Sequence, residues 1–456
     1  MIMVNRRSLR GLGLLIALTV GRTGHAQSTV TRFTTVACPA NVPTDAQCHI
    51  ARDVNGAFIW AVMPQVWNTQ LVVHAHGGPD LTPPDSSGPA EDVSRWNLWV
   101  RLGYALVVTS YRQSGVVVRT AAEDLAVSRA LFVAQFGEPT RTMLHGQSWG
   151  AGVAARAAEW HNAPRANGRR PFDAVLLTNG VLGGATWSYD MRMDLRVVYQ
   201  AVCRNHPRAD ESAYPLWQGL PSGTRLTRAQ LADRVDACTG IRRPAAERTA
   251  EQARNLATIL GAVQIPERTL IAHLNWGTWH FQDIVLRRTA GRNPFATIGV
   301  RYPGQVEGRS LDSLVARYSA DSVAVAQLAS DADPTGRIDV PVLTVHGIDD
   351  PTAFVELEHQ FAYTMAKAGR SDRLLQLFTQ DGEHSYLHDA AYVTAMQGLS
   401  RWLETGRRPS AADVAASCAS VVSAKAVAAD CRFLPSYRPR PLAERVPARL
   451  KPGVPR

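Results

Sequence analysis

Short aliphatic and β-branched runs alternate along this chain with longer amphipathic stretches, a period of two giving way repeatedly to a period near 3.6. Residues 58–63 (FIWAVM), 71–76 (LVVHAH) and 105–109 (ALVVT) read as strands, and so do 142–145, 173–178, 340–345 and 374–378. Between them, residues 91–102 read as a helix. Residues 121–136 put Ala122, Leu125, Ala126, Val133 and Phe136 on one helical face, with Arg129 the one charge there and Gly137 ending the run. Residues 150–160 are Ala-rich and suit a helix packed closely on a sheet. Strands alternating with helices predict an α/β fold, a mostly parallel sheet flanked by helices.

That rhythm stops after the strand at 173–178. Residues 184–336 are mainly helical in character, rich in Arg and Ala, and too long for a loop, so they read as a helical cap or lid inserted between two sheet strands. The expected organisation is a leader at 1–26, an α/β core in two parts at 27–183 and 337–405, the cap between, and a C-terminal extension at 406–456 with a basic, Pro-rich tail. No internal repeat is visible.

The leader has its own pattern. Arg6, Arg7 and Arg10 precede an apolar run from Gly11 to Val20, then Gly24-His25-Ala26 offers small residues before Gln27. This is the layout of a secretory signal peptide, and the run is too short to span a bilayer. It predicts a secreted or periplasmic protein. The six cysteines all follow Gln27 and fall as three short-range pairs, 38–48, 203–238 and 418–431, which is the simplest disulfide scheme for an exported chain. No CxxC occurs, and neither Cys203-x-x-His206 nor His74-x-His76 has the further ligands a zinc site needs, so no metal is expected.

The net charge of +10 changes little. Four arginines and no acid lie in 1–26, and residues 431–456 hold six Arg and one Lys against Glu444, which together account for the whole surplus. The body is near neutral, nucleic-acid binding is not supported, and the tail reads as flexible and solvated.

Chemistry enters at residues 143–152, MLHGQSWGAG. Strand, Gly146-x-Ser148-x-Gly150 turn and helix form the context of a nucleophile elbow, where small flanking residues let strand and helix approach and leave the Ser148 hydroxyl above the sheet. Trp149 follows the serine and would turn its backbone N–H toward a developing oxyanion, aided by the start of the helix. A base is needed, and His384 in Asp381-Gly-Glu-His-Ser385 follows the last predicted strand; His388 is a rival, and His145 reads as a core residue. An acid must orient the base. Asp349 and Asp350 close the strand before it, Asp350 being preferred because Gly-x-x-Asp-Pro is the usual turn and Asp349 the alternative. No acid follows 173–178, where Asn179-Gly180 stands. His76-Gly77-Gly78-Pro79 closes an early strand and offers a second oxyanion N–H, Gly78 first and Gly77 second.

Ser148, Asp350 and His384 in that order, each after a strand and with His-Gly-Gly-Pro upstream, resemble the α/β-hydrolase superfamily over about residues 55–183 and 337–405. The resemblance implies a serine hydrolase without metal or organic cofactor, acting on a small-molecule or oligomeric ester. His-Gly-Gly-Pro with Gly-x-Ser-Trp-Gly is similar to proline iminopeptidase-type peptidases, but Asp80 follows the Pro, and Ser110-Tyr-Arg-Gln-Ser-Gly115 replaces that family's Asp-x-Arg-Gly-x-Gly. The Tyr-Arg-x-x-Gly form looks like secreted bacterial esterases. An exported aminopeptidase is the alternative, and it should need a cap carboxylate for the substrate amine, with Asp190, Asp194, Asp210 and Glu211 at hand. Trp187, Tyr199, Tyr214, Trp217, Trp276, Trp279 and Phe281 are cap aromatics that either line the cleft or form the cap's own core.

Overall fold

The computed structural model describes residues 31–385, 387–425, 427, 430–447 and 449; the leader expected at 1–26 and the end of the basic tail lie outside the described residues. Nine strands form one sheet: β1 (Thr34–Val36), β2 (Gln47–Arg52), β3 (Phe58–Met63), β4 (Gln70–Ala75), β5 (Ala105–Thr109), β6 (Arg141–Gln147), β7 (Ala174–Thr178), β10 (Val342–Gly347) and β11 (Leu374–Thr379). β8 (Gln305–Val306) and β9 (Arg309–Ser310) make a separate hairpin. The sheet order is β1-β2-β3-β5-β4-β6-β7-β10-β11. The first four strands in this order pair antiparallel, and β5 through β11 run parallel.

The parallel strands are buried on both faces, which is why they read as continuous apolar runs. Side chains alternate between two cores. Leu71 and Val73 of β4 join one cluster, and Val72 joins the other. The helices follow the strands: α1 (Ser87–Arg95), α2 (Asn97–Arg101), α3 (Arg119–Phe136) and α4 (Trp149–Trp160). The single helix expected at 91–102 is two, divided at Trp96, whose ring packs beside His145 with centroids 4.5 Å apart.

A mainly helical segment stands between β7 and β10. It holds α5 (Ala185–Ser188), α6 (Asp190–Cys203), α7 (Arg228–Thr239), α8 (Ala250–Val263), α9 (Leu270–Asn275), α10 (Phe281–Asp283), α11 (Leu311–Leu314) and α12 (Ser322–Ala332). Two π-helical turns, Trp276–His280 and Ile284–Arg288, flank α10. Its apolar residues, among them Tyr199, Leu231 and the stacked Phe281 and Phe295, are continuous with one of the sheet's two cores. Asp283 and Arg288 fasten it to the sheet side, accepting from Val116 N–H at 2.7 Å and donating to the Ser114 carbonyl at 2.6 Å.

α13 (Glu356–Lys367) and α14 (Asp389–Thr405) complete the second part of the sheet layer, and α15 (Ala411–Ala424) packs on α14. Cys38–Cys48, Cys203–Cys238 and Cys418–Cys431 are bonded as the spacing predicts. The tail departs from expectation. Arg440 and Arg445 pair with Glu356 at 2.9 and 3.0 Å, and Arg449 is buried against Asp190 and Asp194 at 3.5 and 2.6 Å. A solvated tail was the natural reading of its prolines and charges; acids far away in sequence hold it down instead. No helix among the described residues is long and apolar enough to cross a membrane.

Candidate functional site

The sheet register sets the site. Gln147 at the end of β6 lies level with Thr178, and Gly347 at the end of β10 lies level with Thr379, so the turns after β6, β10 and β11 open along one carboxyl edge. On that edge Ser148 holds φ 57°, ψ −123°, a conformation that costs a non-glycine residue about 1–3 kcal/mol. The neighbouring packing enforces it. A Cβ on Gly146 would come 2.4 Å from the Gly150 carbonyl oxygen, and one on Gly150 would come 2.1 Å from that of Ala75. Only glycine fits at either place.

Ser148 Oγ lies 2.7 Å from His384 Nε2. His384 Nδ1 donates to Asp350, 2.8 Å from Oδ2 and 3.0 Å from Oδ1. Because the carboxylate can only accept, this bond fixes Nδ1–H and leaves Nε2 as an acceptor facing the serine. Asp350 Oδ1 also accepts from Thr352 and Ala353 N–H at 2.8 and 3.0 Å, so it closes its own turn and does not cap a helix. Asp349 is exposed, and the carboxylate that His384 Nδ1 bonds is that of Asp350. His388 turns away to Asp381 at 2.5 Å, and His145 is buried against His74 at 2.9 Å. Burial, assisted by the charge of Arg95, holds His145 down at about 3, so it stays neutral.

Behind Asp350 is a buried group that sequence reasoning passed over. His346 Nδ1 faces Glu358 at 3.1 Å, its Nε2 donates to the Ala353 carbonyl at 2.7 Å, and Nε2 also lies 3.7 Å from Asp350 Oδ2. Burial works against protonation there, but Glu358 and Asp350 raise its pKa overall. Asn179 was noted only for not being an acid. It donates to the Glu383 carbonyl at 3.3 Å and accepts from Gly347 N–H at 2.9 Å, tying the His384 loop to the Asp350 strand. Gln147 donates to Ser385 Oγ and Arg95 to the Ser385 carbonyl, holding the other side of that loop.

His76, Gly77, Gly78, Trp149, Ser148 and His384 all line one cavity of about 260 Å³. Gly78 has φ +73° and open space where a Cβ would sit, whereas a Cβ on Gly77 would meet the Gln147 side chain at 2.7 Å. The Tyr111 hydroxyl donates to the His76 carbonyl at 3.2 Å and Gly115 N–H to the Asp80 carbonyl at 2.6 Å, so the Tyr-Arg-x-x-Gly segment braces this glycine turn. His74 and His76 both face the carboxylate of Asp92, at 3.8 and 2.7 Å, and His74 also lies 2.9 Å from His145. Burial opposes a charge on His76, but Asp92, 2.7 Å away, raises its pKa on balance.

The insert supplies the opposite wall: Tyr189, Arg192, Trp276 and His280. Of the seven aromatics singled out in the sequence, Trp276 is the one among its lining residues; Tyr189, not singled out, lines it too, while Tyr199 and Phe281 are buried in the core that the insert shares with the sheet. His280, held neutral by burial at about 3, shares a hydrogen bond of 3.0 Å between its Nδ1 and the Tyr189 hydroxyl. The insert acids are elsewhere. Asp190 and Asp194 face Arg449, Asp210 pairs with Arg208, and Glu211 with Arg234.

Sheet order, a serine on a strand-to-helix elbow, and an acid and a base after later strands make this an α/β-hydrolase fold. No family model matches the chain, and no curated protein matches it in sequence. Among solved structures it overlaps an esterase from Aspergillus oryzae at 12% identity and TM-score 0.39, covering 84% of this chain and 88% of that one. Candida antarctica lipase A overlaps at 10% identity and TM-score 0.45 over 83% and 82% of the two chains. A tannin acyl hydrolase from Aspergillus niger does so at 12% identity and TM-score 0.36 over 83% of each. At such values these likenesses say nothing about what this chain acts on.

Proposed function

We propose that this chain is an exported serine hydrolase that cleaves a carboxylic ester through Ser148, His384 and Asp350. The observation that carries the reading is the hydrogen-bonded chain from Ser148 Oγ through the imidazole to a buried carboxylate, opening on a cavity. As Oγ attacks the ester carbonyl, its proton passes to His384 Nε2 and the carbonyl electron pair becomes an oxyanion. The N–H groups of Trp149 and Gly78 stabilise that charge, Trp149 at the positive start of α4. Collapse breaks the bond to the alcohol, which leaves with the proton from Nε2, and the acyl group stays on Ser148. Water repeats the sequence: Nε2 takes its proton, the acid departs, and Ser148 recovers its hydrogen. Asp350 holds the tautomer and steadies the imidazolium. The three disulfides and the basic-then-apolar leader support export.

An aminopeptidase would need a carboxylate in the insert wall, and the four insert acids considered for that role all face arginines. The wall's charge is Arg192, of the wrong sign for a substrate amine. The test is turnover of a panel of p-nitrophenyl esters and aminoacyl-p-nitroanilides by wild type and Ser148→Ala. Ester hydrolysis that disappears in the variant is expected. Anilide turnover exceeding ester turnover would replace this reading with the peptidase.

A further inference from the structure

Arg192 is the cationic group of the insert's side of the cavity wall, and among the described residues no carboxylate pairs with it. It projects from α6, is 8% exposed, and lines the cavity that holds Ser148 and His384. Its Nη1 donates to the Ser188 carbonyl at 2.7 Å, and its Nε has no hydrogen-bond partner. Tyr189 and Trp276 flank the guanidinium, their ring centroids 5.2 and 4.9 Å from its central carbon. Among the described residues no ion pair joins it to a carboxylate. Burial accordingly lowers its pKa to about 10, which still leaves it cationic at neutral pH.

Its neighbours sharpen the contrast. Asp190 and Asp194 stand on the same helix, yet both turn to Arg449. Arg196, one turn on, is as buried but directs Nη1 and Nη2 to Thr278 Oγ1 and the Gly219 carbonyl inside the insert, at 3.2 and 3.0 Å. The basic groups of the sheet side of the cavity are engaged as well: Arg95 by the Ser385 carbonyl, His76 by Asp92. Keeping a desolvated cation without an anion is costly, and a planar guanidinium between two aromatic rings, its Nη hydrogens only partly taken up by Ser188, can engage both oxygens of a carboxylate.

We propose that Arg192 is the receptor for a substrate carboxylate, so that the ester cleaved at Ser148 is one bearing a free acid group. The turnover part rests on the reading of Ser148 as nucleophile; the anion site does not.

Two measurements separate them. The first is calorimetric titration of the mature protein with benzoate and with benzamide, its neutral counterpart. Benzoate should bind about tenfold tighter or more in wild type, the preference should vanish in Arg192→Met, and Arg192→Lys should keep part of it, having the charge without the fork. Circular dichroism establishes that each variant is folded; if Arg192→Met is not, wild type and Arg192→Lys decide. Equal binding of the two ligands by wild type, or an undiminished preference in folded Arg192→Met, overturns the inference. The second compares kcat/KM for monoethyl glutarate and ethyl pentanoate by acid release. Preference for the acid-bearing ester, lost with Arg192→Met, supports it. Hydrolysis of both without preference overturns it and leaves the esterase reading standing. Hydrolysis of neither, with benzoate still preferred, removes the esterase reading and keeps the anion site.

Discussion

The two walls of the cavity are built on different principles. On the sheet side the backbone does the placing. Ser148 is held at φ 57° between glycines that have no room for a Cβ, Asp350 is fixed by two N–H groups of its own turn, and His384 hangs from a loop tied by Asn179, Gln147 and Arg95. On the insert side, side chains alone decide. Arg192 sits on the regular helix α6, Tyr189 caps its start and His280 ends a π-helical turn, and all three reach the cavity by packing. On the proposed reading, the reacting groups are anchored in turns whose glycines have no room for a Cβ, and selectivity rests on helix faces that can change residue by residue.

The largest expected effect breaks the sheet side. Asp350→Asn keeps an oxygen for the Thr352 and Ala353 N–H groups but lets the imidazole take the wrong tautomer, so kcat should fall on the order of 10⁴-fold with stability little changed. Asp349→Asn, on the exposed neighbour, should leave kcat within about twofold. Equal losses from both would show that the acid is not the one the geometry selects.

Next comes the insert. Arg449→Met strands Asp190 and Asp194, both buried, without their cation, and should cost about 3–5 kcal/mol in urea unfolding. The loss should appear in the insert's tryptophans first. A negligible change would mean that the C-terminal segment is not what clamps α6.

The smallest effect concerns a buried neutral histidine of the sheet. His145 titrates at about 3 when folded, so below pH 6.5 the unfolded chain takes a proton that the folded chain refuses. Stability from this site is full above 6.5 and is lost as pH falls toward 3, about 2 kcal/mol between pH 7 and 5. His76 and His346 have raised values and act oppositely, losing their contribution as pH rises through those values. The difference between wild type and His145→Gln isolates the one site. Parallel pH profiles for the two proteins would contradict the neutral assignment.

The same contrast explains what could be read beforehand. Strands β3 and β5 and the elbow at 146–150 were legible to the residue, because unbroken apolar runs and Gly-x-Ser-x-Gly are local signals with a backbone cause. Asp350 and His384 were legible because they follow strands. β1 and β2 were not: Gln47–Arg52 mixes Gln, Cys, His and Arg near the sheet margin, where one-sided burial leaves a weak pattern. Arg192 has no local mark at all, since an arginine on a helix reads as solvated until the fold buries it. Arg449 was misread for the same reason. Asn179, His346 and Gln147 act by tying turns that only the sheet register brings together.

The most direct test of the account is reaction of the folded protein with an alkyl fluorophosphonate, followed by mass spectrometry of its peptides. The oxygen of an activated serine displaces fluoride and stays phosphonylated. The account predicts one adduct per chain, on the peptide containing Ser148, with ester hydrolysis lost in step and no adduct in Ser148→Ala. An unlabelled Ser148 in folded protein, or hydrolysis that persists once Ser148 is fully labelled, would contradict it.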